Sequence, residues 1–175
     1  RFVSLLQTDP DMNVRAAAAT ALGRFVLLGE IEDIDRDIAQ VAEEALLQTC
    51  QQHDQPLEVH RRALESLAFS GLKEVIPLIQ EASQHESIKM QASAIFAMGR
   101  NGDARWASNI NAALHHTDPE ICFEATRAAG EMALVRAVPR LSKLAHSRDR
   151  EIKEMAIWSL GEIGGNEAQQ ALFEL

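Results

Sequence analysis

The chain repeats itself with a period of about 31 residues over most of its length. Five segments align without gaps, and each ends in Gly or Ala. They are residues 14–23 (VRAAAATALG), 59–68 (VHRRALESLA), 90–99 (MQASAIFAMG), 121–130 (ICFEATRAAG) and 152–161 (IKEMAIWSLG). The last four follow one another at a constant interval, whereas the step from the first to the second is longer. A fixed period of this length is typical of a stack of similar structural units.

The pattern inside each segment predicts a helix. Apolar or small residues occupy the first, fifth, eighth and ninth positions, which lie on one face of an α-helix. Small residues at the fifth and eighth positions let a neighbouring helix approach closely, as a stacked array requires. We therefore interpret the segments as the second helices of helical hairpins, near residues 14–24, 59–69, 90–100, 121–131 and 152–162.

The first helices of the hairpins carry the same period. Two columns of mostly apolar residues recur at that interval: Ile79, Ile110, Leu141 and Leu172, and Ala82, Ala113, Leu144 and Leu175. Pro77 and Pro139 suit the first turn of a helix, because the N–H that proline lacks has no helical partner there. Between the helices of a pair, Thr or Asp in polar turns is expected to cap the following helix.

One column of glycines follows the second helices. Gly71, Gly102 and Gly164 are expected to adopt the left-handed conformation that closes a helix.

The composition agrees with a folded helical protein. Hydrophobic residues make up 46% of the chain, charged residues 25% and aromatic residues only 5%, so strand formers are scarce. We expect an all-α fold, an α-solenoid of about five stacked helical hairpins that extends over residues 1–175 as a single domain. An insertion falls within residues 24–58, and we expect the chain to be a fragment of a longer array.

The second-helix pattern V-R-x-x-A-x-x-A-L-G resembles that of HEAT repeats, which are armadillo-like, and in particular the short variety named after phycobilisome lyases. The resemblance covers nearly the whole chain. It implies the solenoid fold but not one function, because such repeats occur in lyases, hydroxylases, DNA-repair proteins and non-catalytic scaffolds. A bilin-lyase-like chaperone or enzyme subunit therefore stays open as an alternative.

The sequence predicts no catalytic residue, no cofactor and no metal site. A di-iron hydroxylase of this repeat class would imply His-Glu pairs at the starts of several second helices, but those positions hold Arg15, His60, Gln91, Cys122 and Lys153. The acidic run of residues 33–37 imitates a calcium loop, yet Ile38 stands where the loop needs Gly. We interpret that run as the acidic first turn of a helix.

Net charge limits the choice of partner. The chain carries a formal charge of −9, which disfavours nucleic acid. No apolar run approaches the length of a membrane span, and Cys50 and Cys122 have no partner at metal-ligand spacing. We therefore expect a cytoplasmic protein with reduced cysteines, no membrane contact, and a protein or peptide partner; the sequence leaves the oligomeric state open.

The candidate partner-binding residues lie on the second helices, which line the concave side of such solenoids. The third, seventh and eleventh positions are expected to face outward, and they contain aromatic rings interspersed with arginines: Phe69, Phe96, Phe123, Trp158, Arg24, Arg61, Arg100 and Arg127. Aromatic residues and Arg dominate interface hot spots. Because glutamates gather toward the C-terminal end, we expect an acidic or bipolar peptide.

Three alternatives stay open for these residues. The rings can pack against neighbouring repeats, and the arginines can contact phosphates, as in a nucleic-acid-binding member of the superfamily. The acidic insertion within residues 24–58 is a second candidate contact, or a solvated helix end.

Overall fold

The computed structural model describes residues 1–52 and 54–175, and every regular element in them is helical. Eleven α-helices are found in these residues: α1 (Phe2–Thr8), α2 (Met12–Glu30), α3 (Arg36–Gln51), α4 (Leu57–Leu67), α5 (Val75–Ser83), α6 (Ile88–Asn101), α7 (Ala107–Ala113), α8 (Pro119–Glu131), α9 (Val138–Leu144), α10 (Arg150–Ile163) and α11 (Gly165–Phe173). Short 3₁₀ turns, Ala104–Trp106 and Val135–Ala137, precede α7 and α9. The prediction of an all-α fold is confirmed.

The chain divides into two compact units, Arg1–Ala97 and Met98–Leu175. In the first unit, α2 packs against α1, α3 and α4. In the second unit, α8 packs against α7 and α10, and α10 packs against α9 and α11. Within each unit, the predicted second helices are therefore neighbours of one another as well as of their own first helices.

Aspartates cap the second helices α2, α8 and α10, whereas Pro56 precedes α4 and forms no side-chain cap. Asp118 accepts hydrogen bonds from the N–H groups of Glu120 (2.9 Å) and Ile121 (3.3 Å). Asp149, one period later, caps α10 in the same way. Such a cap contributes about 1 kcal/mol. The prediction that polar turns cap these helices is confirmed, with Asp rather than Thr as the capping residue.

The column of helix-closing residues differs from the prediction at one glycine. Gly102 (φ 68°) and Gly164 (φ 62°) have the positive φ that favours glycine, but Gly71 does not. Instead, the N–H of Gly71 donates to Oε1 of Glu30 over 2.9 Å, which fixes the turn by another contact. The fourth member of the column, Ala133, lies between Gly102 and Gly164 in the sequence and also has a positive φ, 49°.

We expect Ala133→Gly to raise the free energy of unfolding by about 1 kcal/mol, because glycine adopts a positive φ without the steric cost of a Cβ. Urea denaturation followed by circular dichroism measures the change. The matched control is Gly102→Ala, which meets no atom within 4 Å and tests conformation alone. It should lower the free energy of unfolding by a similar amount; an unchanged value for both variants would contradict the assignment of strain.

Glycines at the tenth position of the repeat pack directly on the neighbouring second helix. A Cβ added to Gly23 would lie 2.7 Å from the Cβ of Ser66. One added to Gly130 would lie 2.8 Å from the Cα of Ser159. Gly99 stands in the same relation to Ala128, at 2.8 Å from its Cβ. Real Cβ atoms do not approach so closely, so these three contacts require glycine opposite a small residue.

Alanine substitutions along this column should therefore have opposite effects. Gly130→Ala should lower the free energy of unfolding by about 1–2 kcal/mol, because the added methyl group must displace the backbone of α10. Gly161→Ala is the matched control, since a Cβ there meets nothing within 4 Å. It should raise the free energy of unfolding by about 0.5–1 kcal/mol through helix propensity alone. Equal effects in urea denaturation would show that the close approach has no energetic weight.

The insertion is held by buried carboxylate contacts. α2 continues to Glu30, and α3 begins after Asp35, which caps it by accepting from the N–H of Asp37 (2.9 Å). Glu43 on α3 is buried, pairs with Arg36 at 3.0 Å and accepts a 2.7 Å hydrogen bond from the hydroxyl of Ser70. The predicted acidic first turn is confirmed for Asp37, whereas Asp35 caps the helix and Asp33 precedes it.

The buried face of α3 differs from the predicted one. The apolar period of the sequence comprises Ile38, Val41, Ala42, Ala45 and Leu46, and the last three are buried whereas Ile38 and Val41 are exposed. Ala39, which is not part of that period, is also buried, and a Cβ added to Gly29 would lie 2.2 Å from that of Ala39. The close packing of α3 on the end of α2 therefore selects alanine rather than isoleucine for this face.

Candidate functional site

A cavity of about 450 Å³ lies among α2, α4 and α6 in the unit of residues 1–97. Three of the predicted partner-binding residues line it: Arg24, Phe69 and Phe96. Gly23 and Ser66, which form one of the close helix contacts, also line it. The cavity is thus formed where two second helices approach each other, between the side chains that flank the contact.

Two arginines line the cavity, and they differ in whether a carboxylate neutralises them. Arg62 pairs with Glu65 (2.7 Å) and with Glu58 (2.8 Å). Burial alone would lower the pKa of Arg62, but these two carboxylates raise it above its ordinary value. Arg24 is exposed and, among the described residues, makes no ion pair. The cavity therefore offers an uncompensated guanidinium beside two aromatic rings.

The structure buries Arg61, which the sequence placed on the outward face. Only 7% of the residue is exposed. Its Nε donates to the hydroxyl of Ser93 over 2.9 Å, and its Nη1 pairs with Glu58 at 3.1 Å. The third position of the repeat faces the neighbouring second helix at this point, so Arg61 connects α4 to α6 and leaves little surface for a partner.

Arg127, in the unit of residues 98–175, is buried for a similar reason. It is 8% exposed and pairs with Glu124 at 2.8 Å and with Glu131. Arg100 pairs with the same Glu131 at 2.9 Å. Each of these arginines therefore has a carboxylate partner, in a part of the chain where the sequence predicts that glutamates gather.

The remaining predicted aromatic residues also lie in this second unit. Phe123 is half-buried on α8. Trp158 on α10 is 43% exposed. The structure thus brings Arg24, Phe69 and Phe96 into one cavity and places Phe123 and Trp158 on other second helices.

Leu27 lines the cavity but was missed by the sequence analysis. The predicted second helix ends at residue 24, whereas α2 continues to Glu30. The signal for the longer helix was present: residues 24–28 (RFVLL) contain no Gly or Pro and continue the apolar character of the segment. Leu27 adds an aliphatic group beside the two rings.

Both cysteines are buried thiols with raised pKa values. Cys50 and Cys122 are buried and free, as predicted. Burial raises the pKa of the Cys50 thiol to about 12 and also raises that of Cys122. Burial thus disfavours the thiolate form, which is the nucleophilic form of a cysteine.

Within residues 1–52 and 54–175, no group of three or more His, Cys, Asp or Glu side chains is arranged to hold a metal ion. Nor does any helix in this part of the chain combine the length and apolar character that crossing a membrane requires.

The two tryptophans should respond differently to truncation. Trp106 is buried, and its Nε1 donates to Asn101 over 3.0 Å, so Trp106→Ala should lower the free energy of unfolding by about 3–5 kcal/mol. Trp158→Ala should change it by less than about 1 kcal/mol, because the ring is partly in solvent. Urea denaturation measures both; a large loss for Trp158→Ala would show that its ring contributes to the core instead of a surface.

Comparison with known families identifies the repeat. A family model described as "HEAT repeats" matches residues 77–147 and 109–175. A model described as "HEAT repeat" matches residues 1–28. A search among curated proteins gives no match.

Solved structures with the same fold include engineered proteins. One, described as an engineered protein, has a TM-score of 0.60 and 22% identity, over 99% of this chain and 83% of that chain. A designed armadillo repeat protein in complex with the peptide (KR)4 has a TM-score of 0.60 and 21% identity, over 99% of this chain and 85% of that one. A second designed armadillo repeat protein has a TM-score of 0.57 and 19% identity, with 99% and 86% covered.

These matches support the repeat and the fold that the sequence predicted. The finer resemblance, to repeats of the phycobilisome-lyase type, stays a prediction. Since the first family model covers residues 77–175, more than half of the chain, the chain belongs to the HEAT-repeat family and has an all-α solenoid fold.

Proposed function

We propose that the chain is a non-catalytic scaffold that binds a peptide segment of a partner protein in the cavity of Arg24, Phe69 and Phe96. The observation that carries the proposal is the combination of an uncompensated arginine with two rings and Leu27 in one cavity. Aromatic residues and Arg supply most of the binding energy in protein interfaces. At about 450 Å³ the cavity has the size of a ligand pocket and accommodates one or two side chains of a peptide.

The chemistry of the cavity favours a particular kind of segment. The rings of Phe69 and Phe96 suit an apolar side chain, and Arg24 suits a carboxylate close to it. Arg62 and Glu65 already neutralise each other at 2.7 Å and contribute polar hydrogen-bonding groups instead of net charge. We therefore propose an acidic or bipolar segment in which an apolar residue is followed closely by Asp or Glu.

The likeness to designed armadillo repeat proteins supports the proposal at the level of the fold. One such protein is described in complex with a peptide, (KR)4, so a stack of helical repeats can hold a short peptide. The identity of that protein to this chain is 21%, and the side chains that choose the ligand are those of this chain alone.

In residues 98–175 we propose Trp158 as the main contact with a partner. The residue is 43% exposed on α10, and a large ring in contact with water supplies more binding energy on burial than any smaller side chain. Phe123 and Arg100 are additional contacts in this proposal. Arg127 is left out of it because its guanidinium is buried among carboxylates.

A displayed library of random peptides, selected on the purified protein, tests the proposal. We expect acidic peptides with an apolar residue to be enriched. For a selected peptide, Phe96→Ala with Arg24→Ala should weaken binding by about tenfold or more, because both the apolar contact and the ion pair are lost. Fluorescence anisotropy with the labelled peptide measures the dissociation constant.

The matched control is Phe173→Ala with Arg148→Ala, which removes an exposed ring and an exposed arginine elsewhere. Its affinity should stay within about twofold of the unmodified protein, and circular dichroism should show both variants to be helical. Failure to select any peptide, or equal affinity of the two double variants, would contradict the proposal.

A further inference from the structure

A second groove lies in the unit of residues 98–175, between α7 and α9. It consists of two adjoining cavities of about 450 Å³ and 560 Å³ that share Asn111 and Arg136 in their walls. The first cavity lies against Ala107 and Val135, and the second lies against Arg140 and Lys143. We call this the α7–α9 groove. It is built from first helices and 3₁₀ turns, and the second-helix residues of the proposed peptide site take no part in it.

The α7–α9 groove is positively charged on a chain whose net charge is −9. Arg136 and Lys143 are exposed, and neither makes an ion pair within the part of the chain that the structure describes. No carboxylate lines either cavity. Local charge of opposite sign to that of the whole molecule marks a place where a negatively charged partner is attracted selectively.

Arg140 is held in position before any partner arrives. Its Nε donates to the carbonyl oxygen of Leu114 over 3.0 Å, and the side chain is half-buried. This hydrogen bond anchors one end of the guanidinium, and Arg140 also lines the groove. An anchored guanidinium loses less side-chain entropy on binding a carboxylate than a mobile one does.

The other half of the groove is aliphatic. Ala107, Ala133 and Leu134 line the first cavity, and Val135 beside them is 61% exposed. An exposed valine adjacent to Arg136 places an apolar contact next to a cation. Asn111, where the two cavities meet, can donate to and accept from the backbone of an extended segment.

We infer that the α7–α9 groove binds an acidic peptide segment that carries an aliphatic side chain. The carboxylates of the segment contact Arg136, Arg140 and Lys143, and its aliphatic side chain packs on Val135. This site goes beyond the proposed function, because it is separate from the cavity of Arg24 and Phe96.

Nucleic acid fits the groove less well than an acidic peptide. Among the residues that line the two cavities there is no Phe, Tyr or Trp, and the imidazole of His115 is the single ring on which a base could stack. Nucleic acid also presents no aliphatic side chain to Val135. A polyanion that extends beyond the groove would meet the net charge of −9 of the rest of the chain, whereas a short peptide brings only a few charges.

The test uses a fluorescein-labelled peptide in which Leu alternates with pairs of Asp and Glu, titrated with the whole chain and followed by anisotropy. We expect Arg136→Glu with Lys143→Glu to weaken binding by about tenfold or more. The control, Lys73→Glu with Lys89→Glu, changes the net charge equally through two exposed lysines outside the groove and should weaken binding by less than about threefold.

Two further arms separate the parts of the inference. Val135→Ser should weaken binding about threefold while leaving the dependence on salt unchanged, because it removes an apolar contact only. The same peptide with Asn and Gln in place of Asp and Glu should bind about tenfold more weakly. Equal binding of the acidic and amide peptides would overturn the inference.

Three other outcomes would also overturn it. One is no binding of the acidic peptide, and another is equal binding by the groove variant and the lysine control. The third is tighter binding of labelled oligothymidylate than of the peptide, lost in the groove variant, which would assign the groove to nucleic acid. If Phe96→Ala with Arg24→Ala abolishes peptide binding and the groove variant does not, this inference fails while the proposed function stands.

Discussion

Direct contact between a glycine on one second helix and a small residue on the next sets the spacing on which the other packing depends. Gly23 meets Ser66, and Gly130 meets Ser159, with no room for a Cβ between them. Helices this close bury positions on both sides of the contact line. Between α4 and α6 the tenth position is Ala68 instead of glycine, and there the buried Arg61 donates to Ser93 on the adjacent helix.

The same contact borders the cavity on the second helices. Gly23 and Ser66 line that cavity together with Arg24, Phe69 and Phe96. The proposed partner site therefore lies beside a close helix contact, which favours preorganised side chains.

The sequence predicted what depends on periodicity and missed what depends on distance. The second helices recur at fixed positions, as do the aspartate caps of α2, α8 and α10, so alignment alone finds them. Alignment does not show that the third position faces a neighbouring helix, and Arg61 was therefore placed in solvent although it is buried. Gly71 was grouped with Gly102 by its column, whereas its turn is fixed by Glu30. Arg136 and Val135 belong to a turn outside the aligned segments, so the α7–α9 groove had no signal in the repeat.

The glycine contacts also determine how such a chain can change in length during evolution. Loss of residues 100–130 would remove one period and leave Gly99 opposite Ser159, a pair as small as the present Gly99 and Ala128. A deletion of one residue inside a second helix would instead bring Leu160 into the place of Ser159, against a glycine with no room for it. The loss or gain of one whole period therefore preserves the contact between a glycine and a small residue. Changes of other lengths are confined to the connections, as the insertion between the second helices α2 and α4 illustrates.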